Sequence, residues 1–129
     1  LPMKALPPVH PIVDPQVKVR CDALKSKNDL FSIVEKEVID TSCVGCHGVG
    51  PGYAGGLRLD KCDAVGNAKR LLAARSGGRP AYVVPNKLDS EMLLRLKGQG
   101  YPQMPAGGVG PEGEEAVIHW IQAGAPLPQ

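Results

Sequence analysis

Aromatic residues are scarce in this chain: there are five in 129 positions, Phe31, Tyr53, Tyr82, Tyr101 and Trp120. So few flat apolar side chains make a thin core for a domain of this size. A strong excess of one charge is also missing, since the net charge is only +2. No aromatic residues interleave with the basic ones, so nucleic acid is not expected as a partner. No apolar run approaches the roughly 20 residues of a membrane helix, and no membrane span is expected. Low-complexity repeats are absent, and residues 1–15 hold five prolines where a signal peptide would carry an apolar core. The chain therefore reads as already processed for export.

What is abundant is glycine and proline, 16 and 13 residues. At about 22% of the chain against roughly 12% in average usage, they predict short helices joined by long irregular loops. The length suits a single domain. Residues 1–27 are proline-rich and lack an amphipathic period, and they read as an extended N-terminal arm lying over the domain or a partner. The domain proper is expected over 28–129. Leu30, Val34 and Val38, flanked by Phe31 and Ile39, place an apolar stripe on a first helix capped by Asn28 or Asp29. A second helix is expected from near Asp60 or Asp63 to about Arg75, ending at Gly77 and Gly78. A third, capped by Asp89 or Ser90, carries Met92, Leu93, Leu94 and Leu96 and ends at Gly98. The last opens with Pro111, gathers Glu112, Glu114 and Glu115 at its positive end, and stops at Gly124. On it Gly113, Val117, Trp120 and Ile121 share a face. This is either an ordinary amphipathic helix or one whose small residue lets it cross the first helix closely.

The most informative residues are Cys43-Val44-Gly45-Cys46-His47. C-x-x-C-H is the attachment signature of c-type haem. Two thiols at this spacing each add to one vinyl group of the same porphyrin, and the adjacent imidazole reaches the iron. Cys43 and Cys46 anchor; His47 ligates. The competing readings are a redox dithiol, which wants a strand-to-helix context, and a zinc site, which wants a second ligand pair. A haem would also supply the flat apolar bulk that the aromatic content lacks. Residues 48–56, with five glycines and Pro51, must turn sharply close to the porphyrin.

The iron's other axial position decides the function, and Met3, Met92, Met104, His10 and His119 are the candidate donors. His119 points away from the apolar face of its helix and reads as solvated, while Met92 reads as core filling. Met3 and His10 belong to the arm. Met104 lies in the helix-free stretch 98–110 between Pro102 and Pro105, where a restricted backbone can hold a thioether towards iron. The competing reading is a buried loop methionine above an open or histidine-filled site. Histidine–methionine ligation raises the potential and closes the iron, which favours electron transfer.

With C-x-x-C-H early, Met104-Pro105 late and a closing helix bearing Trp120, the chain resembles class I cytochromes c. Gly56-Leu57-Arg58-Leu59-Asp60, Val83-Val84-Pro85, Ser90-Glu91-Met92-Leu93-Leu94-Arg95 and Trp120-Ile121-Gln122-Ala123-Gly124-Ala125-Pro126 resemble the planctomycete-type cytochrome c domain family. The likeness covers about residues 33–126. It implies an all-α, small cytochrome c fold, three to four short helices and long loops around one covalently attached haem c, with His47 proximal and Met104 distal. It also suggests Arg58 as a partner of the haem propionates. The arm, Cys21 and Cys62 fall outside the family pattern.

Cys21 and Cys62 are the thiols left over after haem attachment. In an oxidising compartment they bridge, closing a loop of 42 residues worth about 4 kcal/mol in the chain-entropy model; two buried free thiols are the other reading. Haem attachment and a disulfide both suit a periplasmic location. Residues 58–97 hold nine basic and four acidic side chains. Among them Arg58, Lys61, Lys69, Arg70, Arg75 and Arg79 divide between propionate partners, a docking surface for an acidic redox partner, and a merely solvated face. The expected function is electron transfer, as a soluble shuttle or as the electron-transfer subunit of a dehydrogenase, with no enzyme activity of its own and with redox proteins such as a dehydrogenase or a terminal oxidase as partners. The alternative is a ligand-binding haem protein, a gas sensor or peroxidase-like, with an open distal site. That reading needs a distal base or arginine, which residues 101–108 do not supply.

Overall fold

The computed structural model describes residues 15–48 and 56–129, the side chain of Cys46 excepted. Every regular element among them is helical, in agreement with an all-α class. Met3, His10 and most of the glycine-rich stretch after the haem motif lie outside the described residues.

The order is α1 (Pro15–Leu24), α2 (Leu30–Val34), a π-helical run (Glu35–Cys43), α3 (Val44–His47), α4 (Ala64–Leu72), a 3₁₀ turn (Ser76–Gly78), α5 (Glu91–Lys97) and α6 (Gly110–Gln122). The four helices predicted from the sequence are present, and α1 is added to them. Residues 15–24 are thus helical where an extended arm was expected. No apolar stripe runs along α1, and Leu24 is its buried residue. Tertiary ties hold it: Cys21 meets Cys62, and Arg20 Nη2 donates to the Lys61 carbonyl at 3.2 Å. Residues 1–14 lie outside the described region.

Asp29 is the cap of α2, accepting the Ser32 amide at 3.2 Å and the Ser32 hydroxyl at 2.7 Å. An uncapped helix start would leave those donors orphaned. Phe31, Val34, Val38 and Ile39 are fully buried, and α6 lies across them. The Phe31 and Trp120 rings meet with centroids 4.6 Å apart and planes tilted by 53°. The indole N–H donates to the Pro126 carbonyl at 2.9 Å, so the largest core side chain has its polar atom satisfied. A Cβ on Gly113 would lie 3.3 Å from Val38 Cγ2 and 2.9 Å from Val109 Cγ2. The close-crossing reading of Gly113 therefore holds.

Asp63 caps α4 through the Gly66 amide at 3.2 Å. That helix stops at Leu72, three residues short of expectation, because the Leu71 carbonyl accepts Val83 N–H at 3.0 Å in place of the Arg75 amide that would continue the spiral. The chain beyond is extended at Ala73, and this brings Arg75 onto a cavity wall. Ser90 precedes α5, its hydroxyl bound to the Lys87 carbonyl at 2.6 Å and to the Val84 amide at 3.0 Å. Gly98 closes that helix at φ 71°, a conformation costly for residues with a Cβ.

Candidate functional site

The π-helical run delivers the haem motif. Its last turns and α3 place Ile39, Cys43 and His47, each four residues from the next, with Ser42 beside Cys43, along a cavity of about 630 Å³. His47 is buried. Its Nδ1 lies 3.0 Å from the Leu57 carbonyl oxygen, which can only accept, so Nδ1 carries the proton and Nε2 keeps its lone pair. A hydrogen bond of this kind fixes the tautomer and ring orientation of a metal-ligating imidazole. The backbone reinforces it: the Leu59 amide donates to the His47 carbonyl at 3.1 Å.

Met104 lines the same cavity. Residues 98–109 contain no helix, yet they are tied to α5. The Met104 amide donates to the Arg95 carbonyl at 2.9 Å and Gln103 Nε2 to the Leu96 carbonyl at 3.2 Å, while within the loop the Gly108 amide donates to the Pro105 carbonyl at 2.8 Å. Met104 is 43% exposed, so its thioether sits at the mouth and not in the packed core. The other sulfur donor, Met92, is buried at the cavity wall, and His119 is exposed beside Glu115, as predicted.

Leu57, Leu59, Leu71 and Leu96 make the rest of the wall largely apolar. Its volume falls within the roughly 300–1,000 Å³ of small-molecule and cofactor sites. A haem is apolar over its faces, anionic at two carboxylates, and needs thiols and axial donors. The cavity offers an apolar wall, the Cys43 thiol, the His47 imidazole, the Met104 thioether and three arginines, Arg75, Arg79 and Arg95. These residues fit the group. The Cys46 side chain lies outside the described residues.

The cationic part of the wall is held by one acid. Glu91 Oε1 accepts Arg75 Nη1 at 2.8 Å and Oε2 accepts Arg95 Nε at 2.9 Å. Arg75 stacks over Tyr82 at 3.9 Å and Arg95 over Tyr101 at 4.3 Å. Burial pushes the Glu91 carboxyl up, but the hydrogen bonds from Arg95 and Arg75 outweigh it and hold it below the ordinary glutamate value. Arg58, the residue singled out for the propionates, is elsewhere. It pairs with Asp60 at 2.7 Å and borders a separate cleft beside Arg20 and Lys61. Arg75 and Arg79 belonged to the basic stretch noted in the sequence. Arg95 and Glu91 were noted only within a family-like motif and not as site residues, although their spacing of four residues on α5 is the pattern of a helical ion pair.

Cys21 and Cys62 come to disulfide bonding distance, 2.05 Å between sulfurs and 5.1 Å between Cα atoms. The pairing draws two of the four cysteines away from any shared zinc site. The Cys62 amide donates to Asp40 Oδ1 at 2.8 Å. Nearby Glu35 is fully buried. Its Oε1 accepts Asn67 Nδ2 at 2.8 Å, while Oε2 has no partner among the described residues. Burial pushes the Glu35 carboxyl up to about 9, and the neighbouring Asp40 carboxyl adds to this. The sequence held a sign of this: Glu35 stands four residues after Phe31 and four before Ile39, on the apolar stripe itself.

Among the described residues no helix is long and apolar enough to cross a membrane, and no three His, Cys, Asp or Glu side chains group to hold a metal ion. Comparison with protein-family models, with curated proteins and with solved structures finds no match to this chain.

Proposed function

We propose that this protein is a monohaem c-type cytochrome that transfers electrons. The observation that carries the reading is the meeting of Cys43, His47 and Met104 at one largely apolar cavity. Cys43 and Cys46 would hold the haem covalently, and His47, through Nε2, and Met104 would be the ligands of its iron. When bound, the group supplies an iron that exchanges a single electron between its ferrous and ferric forms.

The chain's own residues do the rest. The Leu57 carbonyl orients His47, and its hydrogen bond makes the imidazole a better donor. The Arg95 carbonyl pins the backbone of Met104, so the thioether is presented by a loop with few alternative conformations. Leu57, Leu59, Leu71 and Leu96 exclude water from the faces of the group, which keeps reorganisation small during electron exchange. The arginines neutralise its carboxylates. No substrate bond is broken; the protein serves as a shuttle or as the electron-transfer subunit of a dehydrogenase, and its partners are redox proteins. The Cys21–Cys62 pair supports an oxidising, periplasmic setting.

One observation favours the second reading, a haem protein with an open distal site. The arginine that residues 101–108 lack is provided by α5, since Arg95 lines the cavity. Its engagement with Glu91 argues for a fixed structural charge. Visible spectra decide between them. The closed iron predicts a weak methionine-to-iron charge-transfer band at the red end of the oxidised spectrum and a reduced spectrum unmoved by carbon monoxide. A missing band with ready carbon monoxide binding overturns the electron-transfer reading in favour of the open site, and a colourless protein overturns both.

A further inference from the structure

Three arginines line the largely apolar wall among the described residues, and Glu91 joins them through the two guanidiniums it binds. Arg75, Arg79, Arg95 and Glu91 together carry a charge of +2. Two carboxylates would cancel it. The side chains of Arg75 and Glu91 are only 11% and 12% exposed, so their charges are weakly screened by water and act at a distance. Glu91 occupies one N–H edge of each guanidinium, and the Tyr82 and Tyr101 rings support their flat faces. Each guanidinium carries five N–H groups, more than Glu91 engages, and both Arg75 and Arg95 line the cavity.

Resting on the haem reading, we infer that the Glu91-centred cluster is the seat of the haem carboxylates and sets the reduction potential, with Glu91 as the positioning residue that aims Arg75 and Arg95. A negative charge one hydrogen bond behind the wall stabilises the ferric state over the ferrous, and a positive charge on the wall does the reverse. The two signs make the cluster a counterweight: the arginines raise the potential and Glu91 lowers it.

The test is spectroelectrochemistry on the full, haem-loaded chain. Glu91→Gln removes the charge at nearly constant shape, and the midpoint potential is expected to rise. Arg95→Gln is expected to lower it, and the double variant to fall between the two. Glu91→Asp keeps the charge and is expected to stay close to the wild type, whereas a merely structural role would disturb it as much as glutamine does. Unchanged potentials in Glu91→Gln and Arg95→Gln, or an aspartate variant that moves with the glutamine one, overturn the inference while the red colour leaves the haem reading standing. If Glu91→Gln does not fold, Arg95→Gln decides alone, since a potential that fails to fall refutes the charge effect. A colourless wild-type protein overturns the haem reading and this inference with it.

Discussion

Glu35→Gln should make the protein more stable at neutral pH, and by an amount that grows as the pH rises. The side chain is fully buried on the face of α2 and its π continuation that meets the core, and burial pushes its carboxyl up to about 9 from an ordinary value of 4.5. Between those values the folded chain holds a proton that the unfolded chain has released. Stability therefore falls by about 1.4 kcal/mol for each pH unit in that window. The contribution is fully present below 4.5 and lost as the pH climbs towards 9. At pH 7 the loss has reached about 3 kcal/mol, a large fraction of the roughly 5–15 kcal/mol of a whole domain. Glutamine mimics the neutral acid. Its carbonyl can still accept Asn67 Nδ2, as Glu35 Oε1 does at 2.8 Å, and it has no proton to lose. The assay is urea unfolding followed by far-ultraviolet circular dichroism at pH 5, 6, 7 and 8. The substitution changes no other acid in the sequence, so the difference between the two pH profiles reports the charge at position 35. Expected are near-equal stabilities at pH 5 and a gap of about 3 kcal/mol in favour of the variant at pH 7. Parallel pH profiles would refute the reasoning, because they would mean that Glu35 is charged in the folded protein.

Three further outcomes follow from the packing and the site. Gly113→Val forces side-chain atoms into Val38 and Val109 at the crossing of α6 with the π-helical run, and a loss of about 1–3 kcal/mol in thermal or urea unfolding is expected. Replacing Cys21 and Cys62 together by serine should cost about 4 kcal/mol from the opened loop; an unchanged unfolding midpoint would show that the thiols do not bridge. Met104→Ala should abolish the red-end charge-transfer band and let carbon monoxide bind the reduced protein, and a spectrum identical to the wild type would sink the ligand assignment.

Where an element depends on its own neighbours in sequence, it could be read in advance. Asp29 and Asp63 lie where helix starts need an acceptor, Gly98 where a helix must turn left-handed, and Gly113 on the apolar face of α6. For the candidate site, the motif spacing pointed to Cys43 and His47 and two prolines drew attention to Met104, and these three residues line one cavity. What stayed hidden depends on contacts far along the chain. Helix α1 has no stripe to betray it and is held by partners about 40 positions away. The Leu72 stop is imposed by Val83. Arg58 was chosen from a motif, but Asp60, two residues on, captures it, whereas Arg75 reaches the cavity because the helix ends early. The π-helical run has no pattern of its own in the sequence, since its apolar positions read equally well as ordinary helix.

The tie between Cys21 and Cys62 also decides what a broken backbone would do. Every peptide bond between those two positions lies inside the closed loop, including the ones flanking the C-x-x-C-H motif. A single proteolytic nick anywhere in that interval leaves the two pieces joined as one molecule through the bridge. His47, inside the loop, and Met104, outside it, would then remain joined, and the nick would become visible as two fragments only after reduction.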